Sequence, residues 1–230
     1  SFLTMLGIAV GIAAVILLTS IGEGLHQFVL TEFNQFGTNI IKVTPGRQGP
    51  RGCPPGLPST TRELTLADAA ALERAPFVTG VTPSVSGNSE VRARGRVRRT
   101  LILGVGADMQ RSFWVTVQVG TFLPPDNADN PRALVVLGAT LKRELFGTDN
   151  PLGERIQIGN ERYRVIGVMD SKGDFLGLDL DDAAYIPTAR ALALYNRTGL
   201  MEINVSYQEG VSAARVSADI NRILSARHGR

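Results

Sequence analysis

The feature that most constrains this chain is a run without charge or proline. From Phe2 to Ile21 it reads "FLTMLGIAVGIAAVILLTSI", 20 residues with neither. At about 1.5 Å per residue such a run makes ~30 Å of helix, the thickness of a bilayer's hydrocarbon core. It is longer than the apolar region of a secretory signal peptide, and "TSIGEG" is a poor cleavage site. A buried core helix would show one apolar stripe, whereas this run is apolar all round. The reading is a transmembrane helix. Gly7 and Gly11 form a GxxxG pair on it, the spacing that lets a second helix approach closely.

The flank that follows suggests an orientation. Glu23 stands at the exit of the run, and no Lys or Arg follows before Lys42. Basic residues concentrate on the cytoplasmic side, so the body of the chain is expected outside the cytoplasm. The chain begins with Ser1 and reads as a fragment or processed product. After Gly22, Glu23 and Gly24, the apolar residues Leu25, Phe28, Val29, Phe33 and Phe36 recur at helical spacing, and Gly37 supplies a stop. A stalk helix continuing the span by ~22 Å is therefore expected.

Beyond it, "NIIKV" reads as a strand, and the Pro/Gly-rich segment 47–61 as a flexible loop holding the single cysteine, Cys53. Thr65 and Asp68 match a capping box ahead of "LADAAALERA". The order strand 39–43, helix 66–74, strand 78–82 predicts a βαβ-like unit. Between 86 and 170 the pattern is mostly β. Gly95 marks one hairpin, Gly159-Asn160 another, and "ALVVLG" with "ATLKRELF" makes a strand and a short helix. The tail returns to mixed structure. It ends in an amphipathic helix with Val216, Ile220, Ile223 and Leu224 on one face. The predicted class is α+β, with an α+β lobe from 37–85 and 171–230 and a β-rich lobe from 86–170 inserted in it.

Signatures of catalysis are thin. No GxSxG and no Walker A sequence occurs, and two histidines at opposite ends with one cysteine cannot make a zinc site. Asp174, Asp179, Asp181 and Asp182 do not fit the EF-hand spacing and read as a solvated acidic loop. Arg92, Arg94, Arg96, Arg98 and Arg99 read as a charged hairpin tip that resists edge pairing, with anionic lipid or a polyanion as the lesser alternative. A formal net charge of +3, scattered along the chain, argues against a nucleic-acid partner.

A helix running into "GEG" and "FGTNIIKVTPG" resembles the start of MacB/FtsX-type ABC transporter permeases. "LTLADAAAL", "VTPSV", "LILGVGADM", "VVLGATLKRELFG", "NPLGERIQI", "YRVIGVM" and "DDAAYIPTARA" follow in the family's order, as does the terminal Arg227-His228. Gly120-Thr121-Phe122 departs from the Gly-Arg-x-Phe that family members often carry. The resemblance implies the first transmembrane helix (1–36, with its stalk) and a periplasmic core of a porter-like α+β lobe with an inserted β-rich lobe. It implies a non-catalytic permease region in the bacterial inner membrane. ATP and Mg would be bound by a separate ATPase domain or subunit, and no cofactor by this region. A permease dimer and a periplasmic membrane-fusion protein are implied partners beside the lipid bilayer. Three further spans would complete the permease. Gly22, Glu23, Gly24, Phe28, Phe36 and Gly37 would then form the coupling stalk. A membrane-anchored ligand sensor shares the single span and outer domain. An anchored periplasmic enzyme would need a catalytic cluster, and none is evident.

Overall fold

The computed structural model describes residues 2, 6, 11–13, 15, 39–45, 63–125, 127–171, 174, 175 and 178–229. It divides into two units, Ser1–Thr38 and Asn39–Arg230. In the first, the six described positions are all helical, and Phe2, Leu6, Ile12 and Val15 are exposed. The remainder of the expected span and the whole stalk lie outside the described residues. Among the described residues no helix is long and apolar enough to cross a membrane.

The second unit is α+β. Its strands are β1 (Ile40–Val43), β2 (Val78–Ala93), β3 (Arg96–Val105), β4 (Val117–Gly120), β5 (Leu134–Leu137), β6 (Arg155–Ile158), β7 (Glu161–Met169), β8 (Asp174–Phe175), β9 (Leu178–Asp179), β10 (Ala183–Pro187) and β11 (Glu202–Tyr207). Its helices are α1 (Leu66–Leu72), α2 (Met109–Ser112), α3 (Ala139–Phe146), α4 (Thr188–Leu194) and α5 (Ala213–His228). The main sheet runs β1-β11-β2-β3-β10-β5-β7-β4, with β6 bridging β2 and β7. The pair β8-β9 stands apart.

β1 and β2 are both antiparallel to β11, which lies between them, so they run parallel to each other. The predicted βαβ unit is thus present in split form, with α1 as the crossover and the late strand β11 inserted in the middle. β2 then continues past β11. Residues 78–84 pair with β11 and residues 85–93 with β3. One 16-residue strand therefore belongs to both halves of the sheet.

Local chemistry explains the element ends. Thr65 and Asp68 form the expected box: the Asp68 amide donates to Thr65 Oγ1 (3.2 Å) and the Thr65 amide to Asp68 Oδ2 (2.9 Å). Arg94 (φ 51°) and Gly95 (φ 79°) turn β2 into β3, the positive dihedrals that a tight two-residue hairpin requires. Gly104 on β3 is a close-approach position, because a Cβ there would collide with the Ala191 methyl of α4.

Two apolar cores flank the sheet. The larger packs α1, α3, α4 and α5 against one face, around Leu72, Val85, Ile102, Leu141, Ile156, Ile186, Ile203 and Val216. As expected, α5 buries Val216 and Ile220, with Ile223 and Leu224 partly buried beside them. The smaller core lies on the opposite face, where segment 106–125 covers Val136, Met169, Ala183 and Tyr185. Phe122 meets Tyr185 edge-on, with ring centroids 6.3 Å apart.

From Asp179 to Asp182 the acidic stretch is structural rather than a solvated loop. Asp181 is buried, and its backbone carbonyl accepts from the first-turn amides Thr140 and Leu141 of α3. Asp182 receives a bidentate bond from Arg98 (2.8 and 2.9 Å). Asp179 Oδ1 accepts from the amides of residues 181 and 182, which fixes the turn.

Candidate functional site

A cavity of ≈ 560 Å³ opens where five separate segments meet. α1 supplies Leu66 and Ala69, with Glu73 just beyond its end, and the start of β2 supplies Val81 and Pro83. The end of β3 leads in through Gly106 and Asp108. The neighbouring β10 ends at Pro187, followed by Thr188 and Ala189. Pro124, Pro125 and Pro131 close the far side. β3 and β10 are parallel neighbours, so the cavity lies off the carboxyl ends of two adjacent strands, a common place for ligand sites in α/β arrangements. Its volume falls in the range that holds a small organic molecule.

The wall carried by α1 is held from behind. Asp68 is 2% exposed, and Arg227 Nε of α5 donates to its Oδ1 at 2.7 Å. His228 Nε2 lies 3.0 Å from Oδ2. Burial works against the charged carboxylate, but Arg227, the Thr65 hydrogen bonds and His228 outweigh it and hold its pKa below the usual range. The cap of α1 and the end of α5 are thereby joined at one carboxylate.

Two carboxylates set the sign of the cavity. Burial pushes the Glu73 carboxyl up and the nearby Asp108 charge adds to this, against a lowering by Arg74. Asp108 Oδ2 accepts from the Val81 amide at 3.3 Å, and Arg111 stands 3.7 Å from Oδ1. Among the described residues no Lys or Arg lines the cavity, and no Ser, Cys or His does either. The Thr188 hydroxyl is already committed to the Pro83 carbonyl at 3.0 Å. The described apolar, proline-rich walls with two acids are equipped to bind and orient a molecule.

Of the residues singled out from sequence, Gly7, Gly22, Glu23, Gly24, Phe28, Phe36, Gly37 and Cys53 lie outside the described residues. Gly11 is helical and exposed, and a Cβ there would meet nothing within 4 Å. Sequence reasoning did not find the cavity. Its signals were faint: the prolines at 83, 124, 125, 131 and 187.

The sequence matches the family described as "MacB-like periplasmic core domain" over residues 1–223. The macrolide export ATP-binding/permease protein MacB of Vibrio parahaemolyticus is 32% identical over 230 residues, covering 100% of this chain and 35% of that protein. The protein of the same name from Shigella dysenteriae is 30% identical over 232 residues, again 100% and 35%. The chain thus spans about a third of the length of the curated relatives it matches. Among solved structures, the periplasmic region of MacB from Actinobacillus actinomycetemcomitans aligns with TM-score 0.68 at 21% identity, covering 86% of this chain and 88% of that one. The extracellular domain of the ABC-type transporter YknZ from Gram-positive bacteria aligns with TM-score 0.63 at 19% identity, covering 83% and 95%. These neighbours share the fold, and the sequence match identifies the chain as a member of the MacB-like periplasmic core domain family.

Proposed function

We propose that this chain is the first membrane span, stalk and extracytoplasmic core domain of an ABC transporter permease. In this reading it couples ATP hydrolysis in the cytoplasm to export or extraction of a substrate, or to mechanical signalling, in the cell envelope. The observation that carries the reading is the family match over residues 1–223, which takes in the uncharged N-terminal run together with the folded core. The relatives' names pair an ATP-binding function with a permease, so ATP and Mg belong to a separate domain or subunit. The region itself is non-catalytic and sits on the outer side of the bacterial inner membrane. It works as a permease dimer and engages a periplasmic membrane-fusion protein.

Two lobes are part of the same reading. A porter-like lobe is built on β1, β11, the first half of β2, α1 and α5. A β-rich lobe is built on β3 to β7. It also takes in β10, which the sequence put in the α+β lobe with the rest of 171–230 but which pairs with β3 and β5, and the cavity lies where the two lobes meet. A stiff stalk transmits displacement to the first lobe, whereas a glycine-rich linker would absorb it.

The test is a short Gly/Ser insertion after Phe36 in the complete permease. Transport is expected to fall while ATPase activity and folding of the core persist. Transport at the wild-type rate in that variant would refute the coupling.

A further inference from the structure

β2 exchanges one neighbour for another within a few residues. Its last pair with β11 sets Ser84 opposite Glu202, and its pairs with β6 begin only at Val91. Just before Val91, the Glu90 carbonyl accepts from the Gly159 amide at 3.1 Å. Among the described residues, 85–89 therefore have a ladder partner on β3 alone. Gly87 lies inside this stretch, and the Tyr195 ring fills the space that a Cβ there would take.

One side chain spans the changeover. Met201, the residue before β11, donates its amide to the Ser84 carbonyl at 3.1 Å, and the Leu200 amide donates to the Leu64 carbonyl at 2.7 Å. From that pinned backbone the side chain reaches along β2. Its Sδ accepts from the Ser86 amide at 3.3 Å and from the Ser86 hydroxyl at 3.6 Å. Just past the last pair with β11, an amide of β2 is thus satisfied by a thioether, a weak acceptor. Met201 is 39% exposed, whereas Met109 and Met169 are 7% and 3% exposed.

We propose that Met201 is a methionine-oxidation site whose sulfoxide releases this clip and loosens β2 between its two partners. The oxidant is a hydroperoxide, of which hydrogen peroxide is the simplest. The Ser86 donors occupy one sulfur lone pair and leave the other to attack a peroxide oxygen. The O–O bond breaks as the S–O bond forms, and the sulfur gives up an electron pair. The hydroxide released takes the proton from the transferred oxygen, so the products are sulfoxide and water. The sulfoxide cannot keep the old contact. Its acceptor is now the oxygen, which needs about 2.9 Å to an amide nitrogen, so the sulfur would have to retreat on the order of 1 Å. The backbone pinned at Leu200 and Met201 resists that retreat. The polar group turns instead into the solvent that already reaches the side chain, and the Ser86 amide is left to water. A methionine sulfoxide reductase restores the thioether and makes the change reversible. Use of the site to regulate transport rests on the extracytoplasmic, two-lobed reading above; the oxidation and the loosening do not.

The test exposes the full chain in detergent to graded hydrogen peroxide, folded and in urea, and follows the methionines by peptide mass spectrometry. In the folded chain Met201 is expected to gain oxygen on the order of tenfold faster than Met109 and Met169, and in urea at the same rate as they do. Hydrogen–deuterium exchange in peptides spanning residues 85–90 is expected to rise about threefold on oxidation and to return after reductase treatment. Met201→Leu is expected to show the faster exchange from the outset and no response to peroxide. No preference for Met201 in the folded chain, or unchanged exchange once Met201 is fully oxidised, overturns the inference. A peroxide response that persists in Met201→Leu overturns it as well. Neither readout involves transport, so a negative result here leaves the transport reading standing, and the insertion after Phe36 judges that reading alone.

Discussion

Replacing Asp68 by Ala tests how α1 is held against α5. Asp68 closes the capping box with Thr65 and receives the Arg227 guanidinium at 2.7 Å while only 2% exposed. Loss of the box costs about 1 kcal/mol. Loss of a hydrogen bond between charged partners costs about 1.5–3 kcal/mol, and the lower part of that range applies because the Arg227 side chain is 40% exposed. The sum is about 3 kcal/mol, or roughly 6–12 °C in Tm for a domain of this size. Asp68→Asn keeps an acceptor for the Thr65 amide and is expected to lose only about half as much. The sign of the pH dependence follows from the depressed carboxyl. Its contribution is complete above the ordinary carboxylate pKa and is lost as pH falls through the lower folded value. Urea unfolding followed by circular dichroism from neutral to acid pH is therefore expected to show wild type and Asp68→Asn converging at the acid end. A loss below ~1 kcal/mol for Asp68→Ala, or a gap between wild type and Asp68→Asn that does not change with pH, would refute the joint as described.

Other outcomes are equally specific. Gly104→Ala drives a methyl into Ala191 and is expected to cost about 1–3 kcal/mol, with partial recovery on adding Ala191→Gly, read by thermal melts. Trp114→Gly relieves a left-handed backbone and is expected to raise stability by about 1 kcal/mol in urea unfolding. Glu73 has a raised carboxyl pKa, so its charged form weighs against the fold as pH rises through that value. Glu73→Gln is then expected to stabilise the chain slightly at neutral pH and not at acid pH, by less than ~1 kcal/mol on denaturation curves.

Much of this architecture is legible in the sequence, for local reasons. The Thr65/Asp68 spacing, the Gly159-Asn160 hairpin between β6 and β7, the apolar run of β5 and the stripe of α5 are each set by neighbours within a few residues. Non-local pairing was not legible. "SGNSE" is polar and contains Gly87, so nothing in it announces that β2 continues through it for 16 residues. Nothing local places β10 between β3 and β5, since strand neighbours are chosen by the whole sheet. The acidic stretch 179–182 read as loop because the partners of two of its carboxylates, Arg98 and Ser171, lie outside the stretch itself. The cavity was hidden for the same reason: five segments far apart in the chain build it.

β2 also determines what kinds of sequence change this fold admits. Its alternation is shared: Val81 is buried in the half paired with β11, and Val85, Val91 and Ala93 in the half paired with β3. Inserting a single residue near Gly87 would leave the β11 ladder untouched yet exchange every inward and outward side chain beyond it. Arg92 would be driven into the core and Val91 out to solvent. The two halves therefore tolerate substitution independently but cannot change length independently along this strand, so insertions and deletions are confined to the loops around it.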